Sequence, residues 1–584
     1  MDDSQILARA REYVAVEKND FFRKQVENLI SVCSMDELND RFFTDLEFGT
    51  GGLRGVIGGG YNRMNTYVVQ RATQGVAQYI RNHAQASNPS VVIAYDSRRF
   101  SDAFALDAAL VLCANGIRTY LFTGLRPTPE LSFAVRHLKA AVGIVITASH
   151  NPPEYNGYKV YWSDGGQVVP PHDKGIIAEV RAVKYVSCMT KEDALRKGLL
   201  VMIDKEVDEP YVAMVKSQAL RPDLIRRRGK ELRVVYTPLH GSGAMPLSRT
   251  LAELGIDVIF VSEQKEPDGN FPTVKYPNPE EADALKMGIE LGIKEKAALV
   301  MATDPDADRL GIAVPQRDGA FALITGNQLG ALLADYIFST RAELGTLPAK
   351  PVFIKTIVTT ELQRRIAAAY GATVIDVLTG FKYIAEKIRQ FESGGEGYTY
   401  VFGGEESYGY LVGTAVRDKD AVSAAAMTAE MALYHLSNGR SIMDRLDELY
   451  ETYGYFYELQ VSKHFKGETG LAAMSGLMKR LRAAPPLSFA GVDVAAVKDY
   501  ADGTVVDMRS GTRKKEIDLP PSNVLQFILE DGSIVTARPS GTEPKIKFYA
   551  SICGRAGTPL TEQKQAVAAQ AEAVKAHILD VMDG

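Results

Sequence analysis

The stretch Gly143-Ile144-Val145-Ile146-Thr147-Ala148-Ser149-His150-Asn151-Pro152 decides how the chain is read. An apolar, β-branched run passes straight into small polar residues, and Pro152 stops any further strand. Open α/β sheets place ligands beyond the carboxyl ends of their strands, so Ser149 is expected at a ligand-facing sheet edge, with its hydroxyl poised as a nucleophile. The plainer reading of the same residues is a turn-capping serine beside a surface histidine. Ser149 does not stand in a G-x-S-x-G elbow, so acyl transfer of the α/β-hydrolase kind has no support.

Similar runs recur on either side, at Val91 to Ala94, Leu232 to Tyr236, Val258 to Val261, Ala298 to Ala302, Val352 to Ile354 and Thr373 to Val377. Helix-length segments such as Asp102 to Ala114, Pro246 to Leu254 and Thr360 to Ala369 lie between them, the alternation of an α/β architecture. The first ~45 residues read as amphipathic helix and lead into the glycine-rich Phe48-Gly49-Thr50-Gly51-Gly52-Leu53-Arg54-Gly55. Beyond Tyr455 the pattern changes to strands at Phe456 to Ser462 and Val524 to Leu529 and a closing helix at Leu560 to Met582, an α+β segment. The 584 residues correspond to roughly four domains at about 150 residues each. The expected segments are 1–208, 209–324, 325–454 and 455–584. No short-period repeat or low-complexity tract is visible.

Composition narrows the possible functions. Hydrophobic residues make up 46% and charged residues 24%, as in globular proteins. The 67 Lys and Arg against 72 Asp and Glu give a net charge of −5, which offers no general attraction for nucleic acid or anionic lipid. Apolar stretches such as Ala140 to Ala148 fall well short of the about 18 residues that suggest a membrane span. Cys33, Cys113, Cys188 and Cys553 form no C-x-x-C pair, which argues against a cysteine-rich zinc site and fits a reducing cytoplasm. The N-terminal Met1-Asp2-Asp3-Ser4 is acidic where an export signal would be basic.

Three further motifs carry chemistry. In Thr303-Asp304-Pro305-Asp306-Ala307-Asp308-Arg309, the aspartates are two residues apart, so an extended segment would turn all three carboxylates to one side, towards a hard divalent cation. The EF-hand competitor needs Gly at its sixth position and Glu at its twelfth, where this chain has Arg309 and Pro315. Phe402-Gly403-Gly404-Glu405-Glu406-Ser407-Tyr408-Gly409-Tyr410 presents acidic and hydroxyl groups suited to vicinal sugar hydroxyls, although a surface turn would look the same. Ala537-Arg538-Pro539-Ser540-Gly541-Thr542-Glu543-Pro544-Lys545 combines cations, hydroxyls and a glycine turn into a phosphate cradle, with a β-turn beside a cation as the alternative. No G-x-x-x-x-G-K-[ST] and no complete G-x-G-x-x-G is present, so ATP is not the expected phosphate donor.

In this order, one per expected segment, the four motifs resemble those of the α-D-phosphohexomutase superfamily, the phosphoglucomutases and phosphomannomutases. The resemblance implies three related α/β domains and a fourth, TATA-binding-protein-like α+β domain around a central cleft. It makes Ser149 the phosphoryl carrier and gives Asp304, Asp306 and Asp308 to Mg²⁺, with the phosphate of Ser149 completing the metal shell. It assigns general acid/base work to Lys159, places His150 and Arg54 among the catalytic residues, and turns Arg309 towards the substrate. Glu405 and Ser407 would hold sugar hydroxyls, and Arg538, Ser540, Gly541, Thr542 and Lys545 the phosphate that is not reacting. Thr379, Gly380, Lys382 and Lys419 fall on further substrate-binding positions.

The reaction so implied interconverts glucose 1-phosphate and glucose 6-phosphate through a phosphoserine enzyme and glucose 1,6-bisphosphate. The family's sugar loop reads Glu-Met-Ser in many dual-specificity members and Glu-Gln-Ser in phosphoglucosamine mutases, whereas this chain has Glu405-Glu406-Ser407. Glucose is favoured, phosphopentomutase is the nearest alternative and phosphomannomutase is another on the same scaffold. A metal-dependent sugar phosphatase and a non-catalytic sugar-phosphate sensor are readings of other classes, and the sensor fits poorly because every reactive position is present. The expected partners are small sugar phosphates, with no nucleic acid and no membrane, in the cytoplasm; the oligomeric state stays open.

Overall fold

Runs of Val and Ile flanked by turn residues become buried strands, and the segments between them become helices over those strands. The computed structural model describes residues 1–49, 51–84, 88–465, 467–540, 545–555 and 557–583. Two compact units result: Met1–Gly326 with Phe381–Ser437, and Asn327–Gly380 with Asn438–Gly584. The N-terminal segment expected as amphipathic helix is three helices, Asp3–Val16, Asp20–Ser31 and Met35–Phe42. Asn19 caps the second through Phe21 N–H, and Asp2 forms a reciprocal capping box with Gln5 on the first.

Six strands form the first sheet: β1 (Gly52–Val56), β2 (Ser90–Tyr95), β3 (Arg118–Phe122), β4 (Val142–Ile146), β5 (Tyr155–Trp162) and β6 (Leu200–Ile203). Their order is β1-β5-β4-β2-β3-β6. β4, β2, β3 and β6 are parallel, while β5 runs antiparallel to β4 and β1. The all-buried β4 is what a central parallel strand covered on both faces requires.

The second sheet comprises β7 (Val234–Thr237), β8 (Val258–Phe260), β9 (Leu299–Thr303), β10 (Leu310–Pro315) and β11 (Phe321–Ile324), in the order β11-β10-β9-β7-β8. Here β9, β7 and β8 are parallel and β10 returns antiparallel to β9. The sequence β5-β4-β2-β3 of the first sheet is thus repeated as β10-β9-β7-β8. β12 (Pro351–Thr356) and β13 (Thr373–Val377) pair in parallel within the second unit. β14 (Thr399–Glu405) and β15 (Gly409–Val412) form an antiparallel hairpin within the first.

The C-terminal part of the second unit is β-rich. It contains β16 (Phe456–His464), β17 (Ser488–Phe489), β18 (Val492–Asp499), β19 (Thr504–Asp507), β20 (Arg513–Lys515), β21 (Leu525–Leu529), β22 (Ile534–Pro539) and β23 (Lys545–Cys553). The main path is β16-β23-β22-β21-β18-β19-β20, with the helix Leu560–Asp583 sharing its core. This is the expected α+β segment.

Candidate active site

Three of the four motifs occupy the same topological place. Ser149 lies in the connection from β4 to antiparallel β5, the aspartate triplet in that from β9 to β10, and Glu405 to Tyr408 in that from β14 to β15. Each motif is the turn of a hairpin whose first strand is buried.

Ser149 is buried and has φ 52°, the left-handed region that a serine rarely occupies. Its N–H donates to Thr147 Oγ1 at 2.7 Å, and its Oγ donates to Asp304 Oδ2 at 2.7 Å and lies 3.2 Å from His150 Nδ1. Burial, with Arg309 and Arg54 nearby, holds the His150 imidazole well below its ordinary pKa, so the ring is neutral. Arg54, the exposed residue of β1, donates to Asn151 Oδ1 at 3.4 Å. Gly52, two residues earlier, has φ 119°, and a Cβ there would overlap the Tyr158 carbonyl, so the approach of β1 to β5 requires glycine.

The aspartate triplet is a tight turn and not the extended segment expected. Ala307 takes φ 47°, and Asp304 Oδ1 accepts from the N–H groups of Asp308 and Arg309 at 3.1 and 3.0 Å. The carboxylates still converge: one oxygen from each lies within 4.8 Å of the others, and all three residues are buried. Asp306 Oδ2 accepts from Lys159 Nζ at 2.9 Å and Thr128 Oγ1 at 2.8 Å, and Asp308 Oδ2 pairs with Lys419 Nζ at 3.1 Å and Lys159 Nζ at 3.8 Å. Burial and the charges of Asp308 and Asp306 push the Asp304 carboxyl well above the usual range. Burial likewise acts on Asp306, but Lys159 outweighs it and keeps that group low.

Asp306 Oδ1 and Asp308 Oδ1 are buried with no hydrogen-bond partner. Two orphaned carboxylate oxygens beside a third carboxylate fit a hard cation with oxygen ligands, and no cysteine or histidine pair there favours zinc.

Lys419 is a half-buried cation whose pKa is raised: desolvation opposes its charge, but Asp308, Asp418 and Glu405 outweigh it. Asp418 is itself fixed by Tyr161 OH at 2.7 Å, and Asp420 accepts from Val422 and Ser423 N–H at the start of the helix Ala421–Ser437. Arg309 is ion-paired with Glu280. Glu405 ends β14 and is buried, Ser407 is half-buried, and the Tyr408 carbonyl accepts from Leu310 N–H at 3.0 Å, which ties this turn to the strand leaving the aspartates. Lys382 stands at the start of the helix Phe381–Gly394 with its pKa lowered by burial, against the pull of Asp173 and Glu386.

The first unit therefore gathers Ser149, His150, Lys159, the three aspartates, Arg309 and Lys419. Thr379, Gly380, Arg538, Ser540 and Lys545 belong to the second unit. Gly380 has φ 122° and follows Thr379, whose Oγ1 is buried without a hydrogen-bond partner. Arg538 lies on β22 opposite Lys547, and Ser540 N–H donates to the Lys545 carbonyl at 2.7 Å. Gly541 and Thr542 lie outside the described residues. Sequence reasoning missed Asp96, Arg98, Thr128 and Glu280, and singled out the stretch Arg417-Asp418-Lys419-Asp420 without giving Asp418 a role. The charged Asp96-Ser97-Arg98-Arg99 just after an apolar strand was the one local signal.

A buried serine hydroxyl bonded to one of three clustered carboxylates, with two lysines and an arginine around them, defines a site for metal-assisted phosphoryl transfer. The models of the phosphoglucomutase/phosphomannomutase family match here, α/β/α domain I over residues 45–186, domain II over 209–319 and domain III over 325–453. The chain belongs to that family, within the α-D-phosphohexomutase superfamily, and is an intramolecular phosphotransferase. It is 37% identical over 537 residues to the phosphoglucomutase of Staphylococcus saprophyticus, covering 91% of this chain and 94% of that protein. A Staphylococcus aureus phosphoglucomutase is 36% identical over 527 residues, covering 88% and 91%. Among solved structures, the open form of Paramecium pp63/parafusin shares the fold at TM-score 0.68 and 18% identity, covering 92% of this chain and 95% of that one. A Burkholderia thailandensis phosphoglucomutase/phosphomannomutase family protein does so at 0.63 and 19%, covering 91% and 98%. No helix among the described residues is long and apolar enough to cross a membrane.

Proposed function

We propose that the chain interconverts glucose 1-phosphate and glucose 6-phosphate, with Ser149 as the phosphoryl carrier and glucose 1,6-bisphosphate as the intermediate. The observation that carries this reading is the hydrogen bond from Ser149 Oγ to Asp304 Oδ2, which puts the nucleophile against the carboxylate cluster. The names of the staphylococcal relatives support glucose.

Asp304, Asp306 and Asp308 would hold Mg²⁺, which when bound supplies positive charge against the charge on the transferred phosphoryl group. Lys159 is the proposed proton carrier, and Arg309 and Lys419 add fixed positive charge in a largely desolvated site. In the first transfer the bond from phosphorus to Ser149 Oγ breaks as a bond to the free sugar hydroxyl forms; Lys159 gives a proton to the departing Ser149 Oγ and takes up the one the sugar hydroxyl releases, so its charge is unchanged at the end of the step. The bisphosphate then turns round and the other phosphate returns to Ser149. Glu405 and Ser407 would hold sugar hydroxyls, Thr379, Gly380 and Lys382 would add substrate contacts, and Arg538, Ser540 and Lys545 would grip the distal phosphate. On this reading each segment, 1–208, 209–324, 325–454 and 455–584, contributes one loop. The four free cysteines support a reducing compartment, the cytoplasm.

A coupled assay with glucose 1-phosphate, mannose 1-phosphate and ribose 1-phosphate side by side, with and without the matching bisphosphate, tests this function. The highest kcat/KM is expected with glucose 1-phosphate. A preference for ribose 1-phosphate would make the enzyme a phosphopentomutase, and release of inorganic phosphate in place of isomer would make it a phosphatase.

A further inference from the structure

Just beyond β2, Arg98 is almost wholly enclosed, and its guanidinium is spent on one loop. Nη1 donates to the carbonyls of Pro152 at 2.8 Å and Tyr155 at 3.1 Å, and Nη2 donates to the carbonyls of Ser149 at 2.6 Å and Asn151. Its Cζ lies 5.0 Å from the centre of the Phe271 ring. Asp96, two residues earlier, pairs with Arg98 Nε at 3.5 Å and accepts from Ser101 Oγ at 2.8 Å and Thr147 Oγ1 at 2.6 Å. Thr147 Oγ1 in turn accepts from Ser149 N–H. Both backbone polar groups of Ser149 therefore end on the same strand terminus, the carbonyl on Arg98 and the N–H through Thr147 on Asp96.

That arrangement is what the serine's geometry needs. A non-glycine residue at φ 52° persists only where its surroundings over-determine it. If the loop relaxed to a commoner backbone conformation, Oγ would leave the 2.7 Å bond to Asp304. Four carbonyls bonded by one planar fork use a feature that lysine lacks, since an ammonium is a point charge with three donors. A buried arginine could alternatively serve only to stabilise the domain, and the two roles differ in what they do to turnover by folded protein.

We infer that Arg98 is a positioning residue for phosphoryl transfer, acting through the 149–155 loop to hold the left-handed backbone of Ser149 so that its Oγ faces the carboxylate cluster. The inference rests on the proposed role of Ser149. It predicts that losing the fork damages kcat more than KM, because Arg98 reaches loop carbonyls and not the substrate. A displacement of about 1 Å at a reacting atom costs on the order of a hundredfold in rate.

The test uses the full chain with Arg98→Lys and Arg98→Ala, assayed beside wild type for kcat and KM on glucose 1-phosphate and for melting temperature. Both variants should lose on the order of a hundredfold in kcat while KM changes less than about threefold. Millimolar guanidinium should restore part of the kcat of Arg98→Ala, and methylammonium should not. Either variant turning over like wild type would overturn the inference. So would a kcat loss in a normally melting Arg98→Ala protein that guanidinium leaves untouched. If Arg98→Ala does not fold, Arg98→Lys decides alone through its kcat at unchanged melting temperature. A wild-type enzyme inactive on every sugar phosphate would instead contradict the proposed function.

Discussion

The hydroxyl of Ser149 donates to Asp304 across 155 positions of sequence, at 2.7 Å, joining the hairpin turn of one sheet to the equivalent turn of the next. Neither turn has the whole site. The serine is a poor nucleophile by itself, and the carboxylates are a costly concentration of buried negative charge until a cation or the neighbouring lysines offset it.

That cost gives the first prediction. In EDTA, Asp304→Asn should melt no lower than wild type, because it removes the charge that burial, Asp308 and Asp306 disfavour, while its amide oxygen can still accept from Asp308 and Arg309 N–H. Added Mg²⁺ should raise the melting temperature of wild type by ligand linkage and leave the variant nearly unchanged. Equal Mg²⁺ stabilisation of both proteins would remove Asp304 from the metal site.

Metal removal should also stop catalysis. Chelation is expected to abolish turnover and Mg²⁺ to restore it. Full activity in excess EDTA, in protein shown to hold no tightly bound metal, would take the cation out of the mechanism.

The phosphate cradle separates a mutase from a phosphatase. A charge-assisted contact to phosphate is worth on the order of 1.5–3 kcal/mol, so Arg538→Ala should lower kcat/KM roughly tenfold to over a hundredfold. It should also release more glucose 1,6-bisphosphate per product, since the anchored phosphate is what retains the intermediate while it turns. Isomerisation at the wild-type rate would reduce this loop to a turn.

A fourth prediction concerns stability away from the site. Burial pushes the Asp107 carboxyl up to about 6, although Gln70 Nε2 donates to it at 3.2 Å. With an unfolded pKa near 3.9, its contribution is fully favourable below about pH 4 and is lost as pH rises through 6. Asp107→Asn should therefore be more stable than wild type by about 1–2 kcal/mol at pH 7.5, and the difference should shrink towards pH 4.5. A gain that did not change with pH would show that the carboxyl's charge is not the cause.

Much of this was legible because it is local. The apolar run before Ser149, the spacing of Asp304, Asp306 and Asp308, and the strand-helix alternation are short-range patterns, and the three-way convergence survived even though the segment is a turn and not extended. Arg98 was missed because its importance depends on carbonyls some fifty residues away, Asp96 because it depends on the equally distant Thr147 hydroxyl, and Thr128 because its bond to Asp306 spans 178 positions. The equivalence of the three hairpin turns was invisible for another reason: it resides in strand order and direction, which no repeated residues mark. The break of the N-terminal segment into three helices did have a signal, Asn19 and Ser34 at the starts of the second and third helices.

The most direct test is a single turnover followed at Ser149. Peptide-mapped mass spectrometry of the purified enzyme should place one phosphate on Ser149; adding glucose 1-phosphate with Mg²⁺ should remove it as an equal amount of glucose 1,6-bisphosphate appears. Ser149→Ala should fold normally, carry no phosphate and lose mutase turnover. A phosphate mapped to another residue, or near-normal turnover by Ser149→Ala, would contradict the account.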